Sequence, residues 1–165
     1  MGFVVAEYVV QECSRAAHSR TTPANTRALE HLDAVLKQGD FAQRVELSVD
    51  DLREVARLEG IKRLGIGELA AIVVARKLRC GFVSDDRAAR RFATDFLDPE
   101  HIRTISHLVG HLVYLTHLGD GDVATIIADN KALRADRGCI APYIQACVTA
   151  ALQFRLVDRQ DVQRG

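Results

Sequence analysis

The sequence predicts an α/β fold, with a parallel sheet covered by helices. Gly2 to Ala6 (GFVVA) is short, apolar and β-branched, as a buried strand would be, and from Glu7 the spacing turns helical. The chain then reads strand, helix, helix, strand, helix, helix, strand, helix, helices, an alternation that lays helices over a parallel sheet. At 165 residues it is long enough to bury a real core in one domain. Residues 1–165 are therefore expected to form a single domain, with the helices of 106–165 packing on it.

Glu7 to Ala17 carries Tyr8, Val9 and Cys13 at apolar positions, with Glu12 among them. Ser19 to Asn25 (SRTTPAN) is a polar turn in which Pro23 suits a first helical position. Thr26 to Gln38 is amphipathic, with Leu29, Leu32, Val35 and Leu36 on one side, and Gly39 ends it. Arg44 to Leu47 alternates as a strand does. Ser48 with Asp51 three residues on makes an S-x-x-D helix start, and Leu52, Val55, Ala56 and Leu58 give that helix its apolar face. Gly60 to Gly67 is a basic connection punctuated by glycine. Gly65 to Ala93 reads as a turn, a helix opened by Glu68, a strand from Cys80 to Ser84, the carboxylates Asp85 and Asp86, and a second helix. Leu97 to Glu100 (LDPE) turns, and Ile102 to Ile105 is a short strand. Ser106 to Leu118 is helical, with Leu108, Val109, Leu112 and Leu115 expected to be buried. Gly119 to Asp122 (GDGD) turns tightly into two further helices, Val123 to Arg134 and Ile140 to Phe154.

Composition excludes some functions. The 22 basic and 22 acidic residues cancel, so bulk charge offers no general grip on nucleic acid, although a local patch can still form. The absence of Trp and an aromatic share of 5% argue against a base-stacking platform. Cys13, Cys80, Cys139 and Cys147 form no C-x-x-C pair, which speaks against a zinc ribbon or a redox motif and for reduced thiols in a cytosolic protein. No apolar run approaches the ~20 residues of a membrane span. Nor does a basic-then-apolar leader open the chain, so the expected location is cytoplasmic.

Four groups of residues bear on chemistry. Glu12, Glu68, Asp85 and Asp86 come from three separate segments, and clustered carboxylates bind hard divalent cations such as magnesium or manganese. The same acids at helix starts are also explained by capping and the helix dipole. Gly65-x-Gly67-x-x-Ala70 is a degenerate dinucleotide fingerprint, but the charged residues before it (EGIKRL) do not read as the strand it requires. His107 and His111 lie four apart, a spacing that can hold zinc. Leu108 stands where a zinc protease needs glutamate, and surface or hydrogen-bonded histidines account for the pair. The basic residues Arg76, Lys77 and Arg79 precede the strand, and Arg87, Arg90 and Arg91 follow it, the last three on one helix face. They either hold phosphates around the acids or pair with Asp85, Asp86 and Asp95 on a solvated face.

The run G-x-G-E-x-x-A-I from Gly65, a strand, then S-D-D-R-x-A-R-x-x-A from Ser84 resembles the PIN-domain nucleases, especially bacterial PIN-like proteins with G-E-x-E-A-x-x and D-D-R-x-A-R motifs. VVAEYVVQEC (Val4 to Cys13) resembles the strand and acidic helix that carry the family's second carboxylate, and the likeness spans about residues 3–130. It implies a three-layer PIN-like domain and a magnesium- or manganese-dependent ribonuclease, often the toxin of a toxin–antitoxin pair. On this chain Glu12 matches the helix carboxylate, Glu68 the acid opening the next helix, and Asp85 or Asp86 the acid after the strand. Ser84 matches the small hydroxyl residue before that acid. With Arg87, Arg90 and Arg91, it would meet the RNA backbone. The partners implied are RNA, an antitoxin protein and a second copy of the chain, with no membrane. One feature departs from the family, which opens on a central strand ending in a metal-binding Asp. This sequence starts at what matches the second strand, and Glu7 falls too close to Glu12 to replace that Asp. Either the start lies upstream, or another chain supplies the strand, or the chain is a PIN-like module without catalysis that binds a protein or RNA.

Overall fold

The computed structural model describes residues 2–19, 23–39, 42–61, 63–133 and 140–162. The chain divides into two units, Met1–Ile102 and Arg103–Gly165, and each has its own apolar core.

In the first unit, β1 (Phe3–Ala6) runs directly into α1 (Glu7–Ser19), and α2 (Pro23–Gln38) leads to β2 (Ala42–Val45). β1 and β2 pair in parallel, Phe3 opposite Ala42 and Ala6 opposite Val45, with the two helices as the crossover that parallel pairing needs. Gly39 follows α2 with φ +71°, a value that favours glycine. Next come α3 (Val49–Glu59), α4 (Ile66–Leu78), β3 (Phe82–Val83), α5 (Arg87–Ala93), a 3₁₀ turn at Pro99–His101 and β4 (Ile102–Arg103). β3 and β4 form a second two-stranded sheet.

The fold is thus mixed α/β and mostly helical. In place of the one continuous parallel sheet expected, the described residues form two small sheets, because β1 pairs with β2 and β3 with β4 and the two do not pair with each other. β2 lies two residues earlier than Arg44–Leu47, since its register against the four residues of β1 ends at Val45. The strand expected over Cys80–Ser84 shortens to Phe82–Val83.

Helix α4 is the centre of this unit. Gly67, Leu69, Ala70, Ile72, Val73, Val74 and Ala75 are all buried, so it is apolar around most of its circumference rather than along one stripe. It packs on α1, α3, β1, β3 and α5, in a core that includes Ala6, Leu58, Phe82 and Phe92. Its last turn is clamped to α3. Lys77 Nζ lies 2.6 Å from Asp51 Oδ2, and Arg76 Nη2 lies 3.0 Å from Glu54 Oε1. Arg57 also forks onto Glu54, at 2.7 and 2.9 Å. Arg76 and Lys77, expected beside the acids, therefore serve the α3–α4 contact. Arg79 closes α4 in the left-handed conformation, φ 52°. The capping box of α3 is present: Asp51 N–H donates to Ser48 Oγ (3.3 Å) and Ser48 N–H to Asp51 Oδ2 (2.8 Å).

The second unit holds α6 (Ile105–Tyr114), α7 (Asp120–Leu133) and α8 (Ala141–Val162), around Val109, Val113, Val123, Ile144, Val148 and Ala151. Leu108 and Leu112 are half-buried. Leu115 is exposed because α6 ends one residue earlier, and Val113 takes the buried position. At Gly110 the helices α6 and α8 approach so closely that a Cβ would stand 2.9 Å from both Cβ and the carbonyl oxygen of Cys147. Arg134 and Cys139 lie outside the described residues. No described helix is long and apolar enough to cross a membrane.

Two predictions follow from this packing. Gly110→Ala drives a Cβ into the Cβ and carbonyl of Cys147, so urea unfolding should show a loss of about 1–3 kcal/mol. The second concerns acid. Lys77 and Ser48 hold Asp51 down to about 2, and Arg57 and Arg76 hold Glu54 down to about 2. Depressed carboxylates stabilise the fold above their unfolded pKa of about 4 and lose that contribution as pH falls towards 2. The urea midpoint of the native chain should therefore drop from pH 5 to pH 2.5 by more than that of the Asp51→Asn/Glu54→Gln double variant. Equal drops would show that the clamp contributes nothing.

Candidate functional site

The first turn of α4 is the focus. Its N-terminal N–H groups have no partner within the helix and carry the positive end of the helix dipole. Glu68, at the third helical position, turns back to accept the Gly65 N–H on Oε2 at 3.1 Å. Glu12 reaches the same turn from α1, and its Oε1 accepts the Gly67 N–H at 2.9 Å across 55 residues of sequence. A Cβ at Gly67 would stand 2.4 Å from Glu12 Oε2 and displace that carboxylate. The two carboxylates are neighbours: Glu68 Oε2 and Glu12 Oε1 lie 3.6 and 3.7 Å from the point where a Gly65 Cβ would sit.

Asp86 stands at the start of α5. It caps α5, with its Oδ1 accepting the Ala89 N–H at 2.7 Å, while its own N–H donates to Ser84 Oγ at 3.1 Å. Burial pushes the Glu68 carboxyl above its ordinary range. The Gly65 N–H opposes this, and the charges of Asp86 and Glu12 add to it. Glu12 and Asp86, both exposed, are thus each within electrostatic reach of Glu68. Asp85 is half-buried next in sequence and is not among the charges that raise Glu68. Glu7, half-buried after β1, is held by Arg44 of β2 at 3.2 Å.

The basic residues divide. Arg87 and Arg91 are exposed on α5. Arg90 is half-buried and donates from Nη1 to the Ser84 carbonyl at 2.8 Å, fixing the end of β3 on α5. That structural bond was invisible in the spacing, which grouped all three as one cationic face.

Oxygen donors of this type suit a hard cation such as magnesium or manganese. Each of the three carboxylates gives one oxygen to a backbone N–H, and the second is left for another partner. As the side chains stand, no three His, Cys, Asp or Glu among the described residues form a group that would hold a metal. The chemistry of the donors fits a cation, whereas their spacing does not form a closed shell.

The other motifs resolve more simply. The described residues directly before Gly65 form no strand, and Glu12 occupies the helix end where the fingerprint would place a phosphate. His107 Nδ1 contacts Thr104 Oγ1 at 3.1 Å within the cap of α6. His107 and His111 line an open cleft of about 410 Å³ with Gly110, Tyr114, Cys147 and Phe154. Burial, with Glu12 adding to it, raises the Cys13 thiol, and burial raises Cys147, so neither is an activated thiolate.

No family model, no curated protein and no solved structure matches the chain.

Glu68 has two separable duties, capping and charge. Glu68→Gln keeps an oxygen for the Gly65 N–H and removes the repulsion, so its thermal stability at pH 7 should equal or exceed that of the native chain. Glu68→Ala should lose about 0.5–2 kcal/mol with the cap. A Gln variant as unstable as the Ala variant would refute the separation.

Proposed function

We propose that this chain is a PIN-like endoribonuclease dependent on magnesium or manganese. The observation that supports the reading is that Glu12 and Glu68, from separate segments, share the start of α4, with Asp86 at the start of α5 acting on Glu68 by charge. Glu68 is half-buried, Glu12 and Asp86 are exposed, and an oxygen-seeking cation relieves the opposition of their charges. Glu12, Glu68 and Asp86 would hold the ion, with Asp85 beside them. Such an ion supplies an activated water and neutralises charge at a phosphodiester.

The protein's own part is placement. Gly67 and Gly65 orient Glu12 and Glu68 through their N–H groups. Ser84 and Arg90 fix the loop that carries Asp86. Arg87 and Arg91 steer the RNA backbone by charge. A toxin's antitoxin partner, self-association and a cytoplasmic location belong to the same proposal.

A second reading, a PIN-like module that binds RNA or protein without cleaving, draws on the backbone partner each acid already has and on the open donor spacing. Cleavage of single-stranded RNA in manganese separates the two. The nuclease reading predicts cleavage that chelator abolishes. It also predicts that Glu12→Gln, Glu68→Gln and Asp86→Asn each slow cleavage about 100-fold or more, beyond the loss of an outer-shell partner. Equal rates in the native chain and all three variants, or no cleavage by any of them, would remove the nuclease assignment.

A further inference from the structure

The histidine pair of α6 serves neither an apolar core nor the acids. His107 and His111 stand one turn apart on one face of the helix, and both are exposed. Both line the same cleft of about 410 Å³, whose walls come from α6 and α8. Gly110 lies between them in sequence and brings no side chain of its own into that cleft.

The ring of His107 is also oriented. Its Nδ1 lies 3.1 Å from Thr104 Oγ1 and 3.4 Å from the Thr104 backbone nitrogen. In the tautomer that uses the shorter contact, Nδ1–H donates to the hydroxyl oxygen and Nε2 keeps its lone pair. A histidine that binds a metal is held in this way, its second nitrogen fixed by an outer partner. The price is one long, exposed bond from the Thr104 N–H, which water replaces.

We infer that His107 and His111 together bind one borderline divalent ion, represented by zinc, through one ring nitrogen each. Two histidines four apart on a helix reach a single ion. Imidazole suits zinc, copper and nickel, whereas magnesium and calcium prefer oxygen. Cys147 lines the cleft too, but burial raises its thiol, and no three His, Cys, Asp or Glu among the described residues form a metal group. The protein therefore supplies two ligands, and the open cleft leaves the other positions to water or a small anion. This site differs from the carboxylates in the ion it prefers and does not rest on the nuclease reading.

The probe is zinc chloride, titrated into the full chain in excess magnesium while NMR follows the rings of the six histidines. His107 and His111 should shift together and saturate at one zinc per chain. Nitrogen NMR should show His107 with its proton on Nδ1 in the zinc form. Thr104→Val removes the outer partner and should weaken binding about tenfold, and Thr104→Ser, which keeps the hydroxyl, should restore it. His107→Ala and His111→Ala should each cost more than Thr104→Val does. Glu68→Gln should bind zinc as the native chain does, whatever becomes of RNA cleavage. No zinc bound, displacement by magnesium, a proton on His107 Nε2 in the zinc form, or unchanged binding in either histidine variant or in Thr104→Val would overturn the site.

Discussion

The Gly67 N–H fixes where the acids of the first unit stand. It donates to Glu12, 55 residues away, and so joins the head of α4 to α1. The bond costs little to form, because that N–H has no partner within its helix and the helix dipole favours a carboxylate there. Its consequence is less comfortable. Glu68 already caps the same turn, so two carboxylates share one helix end, with Asp86 acting on Glu68 from the start of α5. The cost falls on Glu68, whose carboxyl is raised first by burial and further by the charges of Asp86 and Glu12.

What makes the arrangement tolerable is the rest of α4. Its body is buried on nearly every side and clamped to α3 at its last turn. The head of the helix is therefore held in place by apolar packing that does not depend on the charges. A rigid apolar body with an acidic head is also what a preorganised site requires, since the packing offsets the repulsion that the acids introduce. Arg90 plays the matching part for α5, binding the Ser84 carbonyl so that Asp86 is presented from a fixed loop.

Much of this was legible locally. The S-x-x-D start at Ser48, the stop at Gly39 and the switch from strand to helix at Glu7 are all short-range signals, and each is present. Glu68 and Asp86 could be read as helix openers for the same reason. Pairing across long stretches of chain was not legible. Nothing near Glu12 announces that it caps a helix 55 residues on, and nothing near Arg76 or Lys77 announces that α3 supplies their partners. The break between the two sheets was hidden too, because an apolar strand reads the same whether or not it has a neighbour. Leu115 shows the smaller error: its spacing fitted the apolar face, but α6 stops at Tyr114.

The most direct test of the account is the titration of the Glu68 carboxyl, followed by carbon NMR in the native chain, Glu12→Gln and Asp86→Asn. If the three acids converge, Glu68 titrates above the ordinary value of about 4.3, and removing either neighbouring charge moves it back down. An ordinary Glu68 in the native chain, indifferent to both substitutions, would mean that the acids do not meet.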